Sequence, residues 1–220
     1  VEKPLCLTTN ELNQIKKVHK KGQILTVGFN RRFSPLTQAI KNQIDILDGP
    51  YSFIYTCNSG FINSNHWSQD PNIGGGRLIG EACHFVDLLR YLANSPIENL
   101  SCFNAKDSKK CPDTFTLNLT FKNGSIGSIH YFSNGNNAYP KEHLQVFANG
   151  KILSLNNFIS LKTWGLKTNL FHRKFNQDKG QENCVKEFIQ SIKSNSYKPP
   201  IPYEQIFEVQ SKILEVIEKS

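Results

Sequence analysis

The middle of the chain alternates apolar and polar residues, and this period of two predicts β-strands. The alternation is regular over residues 115–121, where phenylalanine and leucine alternate with threonine and asparagine, because successive side chains of a strand point to opposite faces. Asn123–Gly124 and Asn149–Gly150 are each a dipeptide that tight hairpin turns prefer. We therefore expect a mostly antiparallel sheet from residue 97 to about 175, least regular after residue 159.

Helical patterns lie on both sides of this stretch. Thr8 and Glu11 form a capping-box pattern that opens a helix, and a strand is expected over Ile24–Phe29. Residues 1–29 thus predict a strand–helix–strand crossover unit of a parallel sheet. The other expected elements are a helix over 35–47, a strand over 51–57, a long polar loop over 58–76, a helix ending near 94, and closing helices over 180–195 and 203–219.

Composition limits the class of protein. With 220 residues, 38% of them apolar, the chain can bury a core. No apolar run approaches the roughly 20 residues that span a bilayer. The six cysteines are scattered without a C-x-x-C pair, which is typical of reduced thiols in the cytoplasm. We expect a cytoplasmic globular protein that does not bind a membrane.

The net charge of +8 has three interpretations. It follows either from a lysine-rich composition alone, or from a site for an anionic ligand such as a nucleotide or a sugar acid. Nucleic acid is the third, but the basic residues are spread from Lys16 to Lys219 without a dense run interleaved with aromatics, which argues against it. The first two stay open, and no nucleic-acid partner is expected.

The segment Gly74–Arg90 is the strongest candidate for a site. Three glycines open onto a predicted helix that carries Glu81, His84 and Asp87. Residues three apart lie on the same helical face, so the two carboxylates and the imidazole are expected to point the same way. Such a set of groups is suited to proton transfer.

Three motifs, in this order, resemble one known family. Glu2-Lys3-Pro4, the stretch Gly28–Phe33 and the segment Gly74–Asp87 are similar to the glucose-fructose oxidoreductase/inositol dehydrogenase (Gfo/Idh/MocA) family. The resemblance implies an NAD(P)-dependent dehydrogenase acting on a sugar, cyclitol or sugar-nucleotide hydroxyl by hydride transfer. No G-x-G-x-x-G opens a strand-to-helix turn in this chain, so the resemblance is to the C-terminal portion of the family alone.

The resemblance implies a fold class and domain limits. We expect an α+β chain with a large, mostly antiparallel open sheet and helices on one face, preceded by a remnant of a Rossmann-type parallel sheet. Residues 1–30 would end a dinucleotide-binding domain, and residues 31–220 would form a substrate and oligomerisation domain that makes a homo-oligomer through its open sheet. NAD or NADP would be bound mainly by the absent N-terminal domain, so this chain alone is expected to be inactive.

The resemblance also implies a catalytic lysine and histidine. Lys3, with its cofactor-binding neighbours Glu2 and Pro4, would lie beside the nicotinamide and stabilise a developing oxyanion. The proline allows a cis peptide bond before it. His84 would act as acid and base on the substrate hydroxyl, because imidazole titrates near neutral pH.

The carboxylate of the site departs from the family pattern. Many members carry an aspartate four residues before the histidine, where this chain has Gly80. Either the neighbouring Glu81 supplies the carboxylate as a catalytic residue, or the site uses none. Asp87 is expected to orient His84 or to cap a neighbouring element.

Further residues are candidates for substrate binding. Asn30, Arg31 and Arg32 follow a strand end, where open α/β sheets bind ligands, and paired arginines suit carboxylate or phosphate groups. The alternative for each arginine is a structural salt bridge, and we expect one for at least one of the two. Trp67 in the long loop either stacks on a sugar or nicotinamide ring or pins the loop to the core.

Other functions remain as alternatives. The chain is otherwise a non-catalytic ligand-binding or oligomerisation module of the same fold, which Gly80 favours weakly. Cys57, His66, Cys83 and His84 offer zinc-type ligands, but they have no recognised spacing, so no metal is expected.

Overall fold

An eight-stranded mixed sheet forms the centre of the chain in its computed structural model, which describes residues 1–20, 22–106, 111–166, 171–173, 175–194 and 198–219. The strands are β1 (Ser52–Asn58), β2 (Ile97–Asn104), β3 (Phe115–Phe121), β4 (Ile126–Phe132), β5 (Glu142–Ala148), β6 (Lys151–Asn156), β7 (Ser160–Trp164) and β8 (Phe171–Arg173). They lie in the order β2-β3-β4-β1-β5-β6-β7-β8. Neighbouring strands are antiparallel, except that β1 and β4 run parallel.

Helices cover one face of this sheet. They are α1 (Thr9–Val18), α2 (Pro35–Ile44), α3 (Gly76–Gly80), α4 (Ala82–Ala93), α5 (Gln181–Lys193) and α6 (Tyr203–Glu218), with 3-10 turns at Asn30–Phe33 and Trp67–Gln69. Helix α4 packs on β4, and α6 packs on β2. The packing is close at Gly127, where an added Cβ would lie 2.9 Å from Leu89 Cδ1. In the part of the chain that the structure describes, no helix is both long and apolar enough to cross a membrane.

The predicted fold class is confirmed, with a mostly antiparallel open sheet and helices on one face. Both predicted hairpins form, between β3 and β4 and between β5 and β6. Phe115 and Tyr131 of the alternating stretch are at most 1% exposed and belong to the core. The sheet's inward face is therefore the hydrophobic centre on which the site helix rests.

The strand predicted over Ile24–Phe29 is wrong in detail. The segment has no strand assignment and makes two backbone hydrogen bonds with Val1, from the Val1 amino group to Thr26 O at 2.9 Å and from Gly28 N to Val1 O at 3.0 Å. Two bonds with one residue are too few to make a ladder. Leu12 and Phe29 nevertheless share the hydrophobic cluster of the sheet. The domain boundary at residue 30 stays a prediction.

Candidate active site

The end of the long loop is a tight turn that glycine permits. A Cβ on Gly74 would lie 2.4 Å from Ser68 Cα, and Gly75 has a φ of +69°, a backbone region that other residues rarely adopt. The amides of Gly74 and Gly75 both donate to Asp70 O at 2.9 Å. These contacts fix the 3-10 turn that carries Trp67 against the start of α3.

The predicted site helix is interrupted at Glu81, which separates α3 from α4. In a continuous helix the Gly80 carbonyl would accept the amide of His84. The His84 amide instead donates to Glu81 O at 3.1 Å, and the Gly80 oxygen accepts Lys3 Nζ at 2.7 Å. The low helix propensity of glycine favours a break here. The expectation that Glu81 and His84 share one helical face is therefore wrong.

The break turns the Glu81 carboxylate towards Lys3. Lys3 Nζ lies 2.5 Å from Glu81 Oε1, and the two side chains are 21% and 25% exposed. The peptide bond between Lys3 and Pro4 is cis, as the sequence allows. An ammonium has three donors, and these two contacts use two of them. One N–H remains available to a ligand.

Lys3 and Glu81 lie on the wall of a cleft of about 520 Å³. Its lining includes Glu2, Lys3, Pro4, Trp67, Arg77 and Glu81. Trp67 is 63% exposed, so the indole does not pin the loop to the core. Its face is available for stacking on a ring, as the sequence analysis allowed.

His84 lies on the first turn of α4, behind the break. It is 6% exposed, its ring packs edge-on to Phe29 at 6.3 Å between centroids, and Nδ1 is buried without a hydrogen-bond partner. Burial, together with the charges of Arg31 and Lys3, lowers the pKa of His84 well below its ordinary value of 6.5. The imidazole is therefore neutral at pH 7.

A buried charge cluster surrounds the carboxylate of Glu142, and its charges act on the pKa of His84. Arg31 donates to it twice, with Nε–Oε2 at 2.6 Å and Nη2–Oε1 at 3.1 Å, and Lys179 Nζ lies 2.6 Å from Oε1. The Tyr55 hydroxyl also donates to it. Burial alone would raise the pKa of Glu142, but the two cations lower it to about 2. The cluster carries one net positive charge.

The residues near Asn30 that were expected to contact the substrate form hydrogen bonds with other protein groups instead. Asp87 accepts Arg32 Nε at 3.0 Å and Nη2 at 2.5 Å, so Asp87 orients that arginine and not His84. Asn30 Nδ2 donates to Lys179 O at 2.8 Å. None of these residues lines the cleft, and neither does Arg31 or His84. At least one arginine salt bridge was expected, and the structure has two.

Sequence reasoning missed three charged residues of this region, namely Arg77, Glu142 and Lys179. Glu142 had a signal, because it precedes Leu144 and Val146 at period two, and a charge in phase with core positions indicates a buried ion pair. Lys179 had none, since its partner is 37 residues away. Among the described residues, no three His, Cys, Asp or Glu side chains meet in a group that could hold a metal.

Comparison with known proteins shows which family this arrangement is similar to. Residues 50–153 match the model of the GFO/IDH/MocA C-terminal domain. The match, together with the relatives below, supports a similarity to the C-terminal portion of Gfo/Idh/MocA family proteins. A curated relative in this family comparison is the uncharacterized oxidoreductase YrbE of Bacillus subtilis (strain 168), 29% identical over 147 residues. These are 58% of this chain and 39% of YrbE, so the chain spans well under half of that protein.

Solved structures agree with the Gfo/Idh/MocA assignment. The dehydrogenase MviM from Clostridium difficile superposes with a TM-score of 0.77 at 25% identity, over 100% of this chain and 70% of that one. Levoglucosan dehydrogenase in complex with NADH has a TM-score of 0.77 at 19% identity, over 99% of this chain and 70% of that one. The second likeness shows the fold alone.

Proposed function

We propose that this chain is the substrate-binding and catalytic part of an NAD(P)-dependent oxidoreductase that oxidises a hydroxyl of a sugar, cyclitol or sugar nucleotide by hydride transfer. The observation that carries the proposal is the Lys3 ammonium, held by Glu81 and the Gly80 carbonyl at a cleft. His84, which is neutral and buried, lies about one helical turn after Glu81 in the chain. The bound NADH of levoglucosan dehydrogenase, which shares this fold, supports the choice of cofactor.

The residues of the cleft fit a nicotinamide placed beside Lys3. Glu2, Lys3 and Pro4 form one part of the wall, and Trp67 exposes an aromatic face to the same space. When bound, the oxidised nicotinamide would accept the hydride. We assign most of the binding of NAD or NADP to a dinucleotide-binding domain outside these residues, since the chain itself has no G-x-G-x-x-G.

The side chains of the site have distinct roles in this proposal. The remaining N–H of Lys3 donates to the oxygen of the reacting hydroxyl and stabilises negative charge as it develops there. The neutral imidazole of His84 accepts the hydroxyl proton. Glu81 contacts neither the reacting hydroxyl nor its proton, but its carboxylate holds the Lys3 ammonium in place at 2.5 Å. Asn30, Arg31, Arg32 and Asp87 are left out of the substrate contacts because they have protein partners.

A non-catalytic ligand-binding or oligomerisation module is the second candidate. Gly80, at the position where many family members carry an aspartate, is the observation that favours it. The two functions separate in one assay, the reduction of NAD(P)+ by the full-length protein against a panel of sugars, cyclitols and sugar acids. Reduction of NAD(P)+ with any member of the panel supports the enzyme. The absence of reduction with every member supports the module. The chain of residues 1–220 alone is expected to show no dehydrogenase activity, and tight NADH binding by it would contradict the assignment of the cofactor to another domain.

The outward face of the sheet supports a homo-oligomer. Cross-strand partners share a face, and the register places Ile54, Phe103, Ile126 and Trp164 together on the side away from the helices. All four are more than a third exposed. A second copy that covers them would remove apolar surface from water. The six unpaired cysteines support the cytoplasm as the location.

A further inference from the structure

Arg77 is a buried cation that has no carboxylate partner among the described residues. It is 6% exposed, and its Nη1 donates to the Tyr131 hydroxyl at 2.6 Å. Its guanidinium lies 5.7 Å from the centroid of the same tyrosine ring. Its Nε is buried without any hydrogen-bond partner. A neutral hydroxyl and a ring face are the contacts that the described chain gives to this charge.

The other buried arginines of the described chain do not share this property. Their ion pairs are Arg31 with Glu142, Arg32 with Asp87 and Arg90 with Glu208. Burial of a charge is costly unless it is paired and hydrogen-bonded, and an unsatisfied buried group in a native protein calls for an explanation. A ligand that brings its own negative charge provides one.

The location of Arg77 indicates which ligand this is. Arg77 lines the same cleft as Lys3 and Glu81. Those two charges offset each other at 2.5 Å. Glu2 is the other carboxylate of the lining, and its Oε2 lies near the backbone at Gly28, where an added Cβ would meet it at 3.4 Å. Among the described residues, Arg77 therefore lines the cleft without a carboxylate bonded to its guanidinium.

We infer that Arg77 binds a carboxylate or phosphate group of the substrate, so that the sugar-type substrate is anionic. The inference rests on the proposed function and names the class of its substrate. Both groups accept hydrogen bonds from a guanidinium. Nε is shielded from the cleft and Nη1 is bound to the Tyr131 hydroxyl, so Nη2 is the donor that Arg77 offers to the anion.

The experiment compares binding of D-glucuronate, D-glucose 6-phosphate and D-glucose to the full-length protein by isothermal titration calorimetry. Wild type should bind one of the two anions at least tenfold more tightly than glucose, and which one it prefers separates carboxylate from phosphate. Arg77→Gln should lose that preference, and Arg77→Lys, which keeps the charge without the fork, should keep part of it. Lys186→Gln removes one positive charge from an exposed ion pair and should leave the preference unchanged.

Two further measurements distinguish anion binding by Arg77 from a purely structural role of that residue, and separate a failure of this inference from a failure of the proposed function. The thermal midpoint of unliganded Arg77→Gln should be unchanged or higher, because the variant removes an unpaired buried charge; a lower midpoint together with lost binding would assign a structural role and overturn the inference. Equal affinity of wild type for all three sugars, or an unchanged anion preference in Arg77→Gln, would overturn it as well. If wild type oxidises neutral sugars as fast as sugar acids, the inference fails while the proposed function stands.

Discussion

Glu142→Gln is expected to destabilise the protein strongly, because Glu142 is the counter-ion of two buried cations. The pKa of this carboxyl falls from 4.5 to about 2 in the folded chain. At about 1.4 kcal/mol per pKa unit, this corresponds to about 3 kcal/mol of folding free energy at pH 7. Removal of one partner from a buried ion pair costs about 3–5 kcal/mol. Both routes give a loss of about 3 kcal/mol or more for the variant.

The pH dependence of this loss has a definite sign. A carboxyl whose pKa is lowered by folding stabilises the protein above its unfolded-state pKa, and the stabilisation disappears as pH falls through the folded-state pKa. For Glu142 that window runs from 4.5 down to about 2. The difference between wild type and Glu142→Gln should therefore be full at pH 7 and shrink as the pH is lowered through this window.

Urea unfolding of both proteins, repeated from pH 7 to pH 3, measures the difference directly. Glu182→Gln is a matched control, because Glu182 is 81% exposed in its ion pair with Lys186, and its unfolding midpoint should stay at the wild-type value. A loss below about 1 kcal/mol at pH 7, or a loss that does not shrink towards acid pH, would refute the account of the cluster.

Three further outcomes are expected. Because burial, Arg31 and Lys3 lower the pKa of His84, kcat of the full-length protein should stay level as pH falls through 6.5 and decline only at more acidic pH; an acid limb at or above 6.5 would contradict the neutral imidazole. Glu81→Ala should release Lys3 and lower kcat about tenfold or more through lost positioning, with Glu81→Gln in between, and wild-type turnover in Glu81→Ala would contradict this role. Ile54→Lys combined with Trp164→Lys places charge on the outward sheet face and should convert an oligomer to a monomer in light scattering, whereas an unchanged mass would rule out that face as the contact.

The sequence predicted the elements whose determinants are local. The hairpins formed because Asn123–Gly124 and Asn149–Gly150 join strands that follow one another. The parallel pairing of β1 with β4 had no such signal, because it joins residue 52 to residue 126 across an intervening site helix and two strands. A strand at Ile24–Phe29 needs neighbouring strands to pair with, and the described part of the chain places none beside it.

The roles of the site residues stay predictions. Lys3 and Glu81, two of the predicted residues, form an ion pair on the wall of one cleft. The helix break was not predictable from local spacing, because the Gly80 carbonyl is satisfied by a lysine 77 residues away. The partners of the arginines were not predictable for a similar reason, since the partner of Arg31 is 111 residues distant and a pattern of single residues does not report such pairs.

The measurement that tests the central claim most directly is the turnover of NAD(P)+ by the full-length protein carrying His84→Ala, on the sugar that wild type oxidises fastest. The imidazole is the proton acceptor in the account, and general acid–base groups contribute roughly 10²–10⁴-fold. We expect kcat to fall by that factor while the variant keeps the wild-type thermal midpoint within a few degrees. Turnover equal to wild type would contradict the site built on Lys3 and His84.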